Sequence, residues 1–276
     1  MTTTMTPSAP PAARLVAPKA HIGPLRAIRH GRTLAWRTLK RIQRNPEQLL
    51  DVTLQPIIFV TLFVFLFGGA IAGMNRHEYL QFVLPGVMAQ TVIFASIGTG
   101  FNLNTDISKG IFDRFRSMPI ARSAPLSGAV VGDFFRYIAS LSVVLIYGAI
   151  LGFRIETNAA YALAGVGIII VFAFSVGWIW SLLALHLKTP QTLQGVGFMI
   201  MFPLTFGSNV FVQSDTLPGW LQAWVKVNPV TAVTGAIRGL MVGGPIATPV
   251  WHTLVWSAAI TVVFAPLAVR KYRRIA

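Results

Sequence analysis

Asp133 and Arg136 are the residues best placed for proton or ion chemistry. They lie three positions apart in an otherwise apolar run, and Asp133 is the single carboxylate within any such run. That spacing puts both on one helical face, where they can pair. Ionisable groups at membrane depth mark proton or ion paths, so two readings stand: a proton site or a buried structural pair. Other chemistry finds no support. The five histidines, at 21, 30, 77, 186 and 252, have no metal-ligand spacing. The chain has no cysteine, which excludes disulfides, thiolate metal sites and thiol nucleophiles. No nucleophile–base pair, paired carboxylates or G-x-x-x-x-G-K-[ST] phosphate loop occurs. The sequence therefore points to a chain that moves or anchors something while a partner supplies the energy.

The elements that would position these residues follow from composition. The 276 residues are 54% hydrophobic and 11% charged, with a mean hydropathy of +0.64. Soluble domains carry roughly 25% charged residues. An ordinary soluble enzyme and a disordered protein are excluded, and an all-α integral membrane protein is expected. Stretches of about 20 apolar residues read as membrane spans, and six are present: 52–72, 82–103, 125–151, 161–187, 193–212 and 249–269. Between the last two lies a stretch broken by Lys226, Asn228, Pro229 and Arg238. Asn-Pro is a turn signal, and an arginine at a span centre costs roughly 2.5–3.5 kcal/mol on insertion scales. Two short helices, 218–227 and 230–240, are expected here, dipping into the membrane from outside and returning. Trp220 and Trp224 suit its interface. Arg238 either neutralises an anionic group or snorkels to the outer surface.

Formal charge is +15, from 23 basic and 8 acidic residues. About eighteen of the basic residues fall before the first span, between spans two and three, between four and five, or in the tail; four fall on the opposite side. The positive-inside bias then places both termini in the cytoplasm and explains the basic pI without nucleic acid. Residues 1–26, rich in Thr, Pro and Ala, read as a disordered cytoplasmic tail, and 27–276 as the transmembrane domain. From about 25 to 44 apolar residues gather on one half of a helical wheel and basic ones on the other. This predicts an amphipathic interfacial helix on the inner leaflet of the lipid bilayer.

The loop between spans two and three is unlike a plain connection. Ile107, Ile111, Phe112 and Phe115 fall at helical spacing, with Lys109, Asp113, Arg114 and Arg116 around them, and Pro119 closes the run. A short cytoplasmic helix of this kind suits either a groove on another protein or the lipid headgroups. The run from Asp106 to Arg116, followed by Met118-Pro119, resembles the signature of ABC-2 type permeases, most closely the membrane subunit of daunorubicin- and doxorubicin-resistance exporters. Glu78 to Gly86, Phe202 to Phe206 with Ser208 to Val212, and Pro218 to Leu221 with Val227 to Val230 agree with it. The likeness covers roughly residues 34–272. It departs at Ser108, where relatives often have an acidic residue.

The resemblance implies a half-transporter in the cytoplasmic membrane of a prokaryote. A separate cytoplasmic ABC ATPase subunit would carry ATP and Mg, with no cofactor on this chain, and a second permease copy would complete a dimer. Asp106, Ile107, Lys109, Gly110, Ile111, Phe112, Asp113, Arg114 and Arg116 would form the coupling helix docked on the ATPase. The first and fifth spans would line the pathway and dimer interface, with Phe202, Pro203, Phe206 and Asn209 as candidates. Pro218, Trp220, Asn228, Pro229 and Arg238 mark the re-entrant pair. Further aromatics at Phe172, Phe174, Trp178, Trp180, Phe198 and Phe211 either stack on a planar amphiphile or pack within the protein. Gly128/Gly132, Gly148/Gly152 and Gly235/Gly239 permit close helix approach. The cargo expected is a hydrophobic or amphiphilic drug, secondary metabolite or lipid. A polysaccharide or glycolipid exporter, or an ATPase-independent channel or anchor, are the competing readings.

Overall fold

A computed structural model describes residues 46–68, 75–110 and 124–275, with side chains for 54–68, 75–110 and 133–272. The tail, the amphipathic helix and residues 111–116 of the docking run lie outside the described residues. What is described is helical, without a strand. Helix α1 (Pro46–Leu62) continues as a π-helical turn (Phe63–Phe67); α2 (Arg76–Ser108), α3 (Ala124–Ile150), α4 (Ala159–Ala184) and α5 (Pro190–Phe206) follow. A 3₁₀ turn (Ser214–Thr216) leads to α6 (Gly219–Val227), α7 (Pro229–Met241) and α8 (Ala247–Ile275).

Helices α2, α4, α5 and α7 start where polar side chains bond their free N–H groups. Asn75 and Glu78 form a reciprocal capping box on α2: Glu78 N donates to Asn75 Oδ1 (2.9 Å) and Asn75 N to Glu78 Oε2 (3.1 Å). Asn158 caps α4 through Tyr161 N, and Thr189 caps α5 through Thr192 N with Pro190 at the first helical position. Four stretches are long and apolar enough to cross a membrane: Arg76–Ser108, Asp133–Ile150, Ala159–Ala184 and Ala247–Tyr272. The expected fifth span does not reach that length as regular helix, and the expected first span is described only in part. Leu54–Phe67 is a shorter apolar helix, and α5 has 17 residues. The fifth stops at Phe206, six residues before its expected end. Pro203 has already removed one backbone donor there, and the Gly207 N–H closes the end on Pro203 O at 2.8 Å.

Helix α2 lies at the centre, packed against α3, α4, α5 and α7, while α8 covers α4 and α7 and α1 leans on α3. Lipid is as apolar as leucine, so the packing relies on close contact and hydrogen bonds between helices. Small residues supply the contact. A Cβ on Gly148 of α3 would collide with Leu84 of α2, and one on Gly86 would come within 2.9 Å of Val210 O. Gly235 and Gly239 face Pro249 and Pro245. The glycines that might have marked a subunit interface thus pack within this chain at 148, 235 and 239, and Gly152, at φ 103, makes a turn.

Asp133 and Arg136 form a buried tie between α3 and α2. Arg136 Nη2 lies 3.0 Å from Asp133 Oδ1 and also donates to the α2 carbonyl of Ala95. Thr99 Oγ1 donates to the other carboxylate oxygen, and Tyr137 OH lies 3.3 Å from Thr99. Gly98 leaves the space that the guanidinium fills. These contacts favour the structural reading of the pair. Asp133→Ala strands a buried cation, which costs about 3–5 kcal/mol. Thermal unfolding in detergent, followed by tryptophan fluorescence, should show this loss. The double variant Asp133→Leu with Arg136→Leu should melt above Asp133→Ala; equal or lower melting would mean that the pair is not the source of the loss.

Candidate functional site

Six aromatic rings join α1 to the end of α5. Phe59, Phe63 and Phe67 recur every four residues, and neighbouring rings stack at 6.0 and 5.4 Å. Phe202 and Phe206, four apart on α5, stack at 4.2 Å. Phe211, beyond the helix end, joins the two rows: it lies 3.9 Å from Phe63 and 5.0 Å from Phe206. Phe59, Phe63 and Phe211 are packed, but Phe202 keeps 53% of its surface exposed, Phe206 38% and Phe67 37%. Leu54, Ile58 and Leu62 on α1 are exposed as well. The result is an apolar, flat-ringed wall that can stack on a planar amphiphile. Phe202, Phe206 and Phe211 are among the aromatics singled out from the sequence; Phe59, Phe63 and Phe67 are not. Their four-residue spacing was the available signal.

The irregular end of α5 is sealed by the α6–α7 pair. Asn228 ends α6 and caps α7. Its Nδ2 donates to Leu204 O (2.7 Å) and Gly207 O (2.9 Å), and its Oδ1 accepts from Val230 N (2.8 Å). One side chain thereby satisfies carbonyls at the end of α5 and an amide at the start of α7. Pro229 stands at the first position of α7, where its missing donor costs nothing. Pro218 opens α6, its carbonyl accepting from Leu221 N and Gln222 N. Trp220, 75% exposed, faces away from the protein.

Arg238 does not snorkel. Its Nε donates to Phe82 O and its Nη2 to Asn209 O, both at 3.1 Å. Its guanidinium sits 3.8 Å over the Phe82 ring, a cation–π contact. The arginine joins α7 to α2 and to the segment after α5, and Asn209 takes part through its backbone. Tyr79 OH bonds Phe211 O at 3.2 Å, so the same segment is fixed again. Among the other aromatics, Phe172 and Trp180 are buried core and face no open path. Trp180 Nε1 donates to Ser96 Oγ at 2.9 Å.

The docking run is interrupted. Asp106 and Ile107 belong to the last turn of α2, which ends at Ser108, and Ile107 packs against the core. Lys109 follows as the helix cap, and Gly110 has φ 65. This left-handed conformation ends helices and favours glycine. Helix α2 therefore stops at Ser108 and the chain turns at Gly110, so Asp106 and Ile107 belong to α2, while the rest of the run, 111–116, lies outside the described residues. Helical spacing alone cannot see a break that glycine makes. Ser108 Oγ donates to Asn104 O at 2.9 Å.

The family described as ABC-2 type transporter matches residues 29–242. The chain is 42% identical over 252 residues to the daunorubicin resistance ABC transporter permease protein DrrB1 of Streptomyces coeruleorubidus, covering 91% of this chain and 89% of that one. It is 26% identical over 239 residues to the probable doxorubicin resistance ABC transporter permease protein DrrC of Mycobacterium tuberculosis, covering 86% of each. A putative transport permease, ycf38, of Cyanophora paradoxa is 29% identical over 216 residues, 75% of this chain and 72% of that one.

Asn228→Ala would leave three backbone groups without their partner. The loss is about 2 kcal/mol, enough to raise local opening tenfold or more. Limited trypsin digestion at Lys226, two residues away, should quicken accordingly, and an unchanged cleavage rate would show that this amide does not hold the junction.

Proposed function

Because the chain belongs to the ABC-2 type transporter family, as a transport subunit whose ATP hydrolysis lies on a separate chain, we propose that it is the permease of an ATP-driven exporter. It moves a hydrophobic or amphiphilic drug, secondary metabolite or lipid outward across the cytoplasmic membrane of a prokaryote. The observation that carries this reading is the 42% identity, over nine-tenths of both chains, to a daunorubicin resistance permease. The exposed rings of Phe202 and Phe206 beside α1 are chemically suited to such a cargo.

In this reading six segments cross the membrane, α1 and α5 among them, with both termini in the cytoplasm. The α6–α7 pair enters from outside and turns at Asn228-Pro229. Polar backbone at that depth is tolerated because Asn228 and Arg238 bond it within the protein. Two copies of the permease face each other, α1 and α5 line the path between them, and each copy recruits one cytoplasmic ATPase that holds ATP and Mg. Residues Asp106 to Arg116 form the contact with that ATPase. ATP-driven closure pushes on this segment and alternates the access of the aromatic wall to the two sides.

The test is a pull-down of the detergent-solubilised chain with its ATPase, wild type beside Phe112→Asp. A buried aromatic anchor in an interface is worth about 2 kcal/mol or more, so the variant should capture less than roughly a tenth of the wild-type amount. Gly110→Pro forbids the positive φ and should abolish ATP-dependent export while the chain still inserts. Export unchanged in both variants would remove the docking assignment. A well-folded wild type that captures no ATPase would sink the exporter reading itself.

A further inference from the structure

Ser96, Gly100 and Asn104 recur every four residues on α2, and all three meet the end of α4 or the start of α5. Ser96 takes the Trp180 indole N–H. At Gly100 a Cβ would come within 2.8 Å of Trp180 O and 3.1 Å of Leu193 Cδ1, so α2 touches α4 and α5 together. Asn104 is 2% exposed. Its Nδ2 donates to Ala184 O at 2.9 Å and to Leu187 O at 2.7 Å. These are carbonyls of the last turn of α4 and of the connection after it, which a helix end leaves without intrahelical partners. Thr189, the cap of α5, follows two residues later. One amide thus fixes how the chain leaves α4 and where α5 begins. Asn104 also stands in the last turns of α2, its own carbonyl held by Ser108, just before the turn at Gly110.

We propose that Asn104 is the positioning residue that delivers movement of the docking segment to α5. The inference rests on the exporter reading above. A push on residues beyond Gly110 displaces the end of α2. The bonded 184–187 turn has to follow, and with it the N-terminus of α5, whose other end bears Phe202 and Phe206. The carboxylate of Asn104→Asp has the same shape but sets oxygens against oxygens, so it cannot hold either carbonyl.

The chain has no cysteine, so paired spin labels can be placed on single introduced cysteines. Asn102→Cys, half-buried, with Lys188→Cys, exposed, spans the clamp. Gln194→Cys with Ser142→Cys, also exposed, reports α5 against α3. In the permease–ATPase complex the first pair should keep one narrow distance with and without trapped ATP, while the second shifts. Asn104→Asp should broaden the first distribution at least about twofold and cut the shift of the second at least about threefold. Captured ATPase should stay within about twofold of wild type. A first-pair distance that changes with ATP in the otherwise wild-type chain would overturn the inference, and does so whether or not Asn104→Asp folds. So would a second-pair shift that survives Asn104→Asp. Failure of the wild-type chain to capture an ATPase would overturn the exporter reading and this role with it, whereas capture with an unaffected shift overturns this role alone.

Discussion

A polar group at membrane depth has no water to bond and must find its partner inside the protein. Helix α2 bears this constraint most heavily. Gln81, Gln90, Ser96, Thr99 and Asn104 are all buried along it, and its neighbours are arranged by what they bond there. Thr99 and the Ala95 carbonyl receive α3 through Asp133 and Arg136. Ser96 and Asn104 receive α4, and the Phe82 carbonyl receives α7 through Arg238. Individual bonds between membrane helices average about 0.6 kcal/mol. The organisation of this chain therefore comes from their number and placement along a single helix, with glycines at 86, 98 and 100 letting the partners approach.

Much of the helical layout was legible from hydropathy. The expected spans and the observed helices coincide to within about six residues at each end for α2, α3, α4 and α8, since a long apolar run in lipid has few ways other than a helix to satisfy its backbone. The Asn-Pro break between α6 and α7 was equally readable. The pairings between helices were not. Nothing in periodicity shows that Asn104 reaches the end of α4, or that Arg238 turns inward to two carbonyls instead of outward to water. Both depend on which helices become neighbours. The break at Gly110 was hidden for a different reason: apolar spacing continued across it, while the backbone took a conformation that side-chain patterns do not report.

The aromatic wall and the polar ties are parts of one arrangement. Phe211 stacks on Phe63 while its carbonyl accepts from Tyr79. Asn209, two residues earlier, accepts from Arg238. The segment after α5 is thus gripped by α2 and α7 on its polar side and by α1 on its apolar side. Of the rings left exposed, Phe202 and Phe206 sit on the regular part of α5 just before this grip, and Phe67 on the turn that follows α1.

The 17 residues of α5 rise about 26 Å, a few ångströms less than the roughly 30 Å of a bilayer's hydrocarbon core. If α5 crosses as proposed, the rest of its passage is made by irregular backbone that protein, not lipid, must shield. A thicker bilayer stretches that mismatch and a thinner one relieves it, at fractions of a kcal/mol per ångström. The acyl-chain length of the surrounding lipid then becomes a physical variable acting on this one helix, and the membrane's composition belongs among the quantities that set how readily the wall opens.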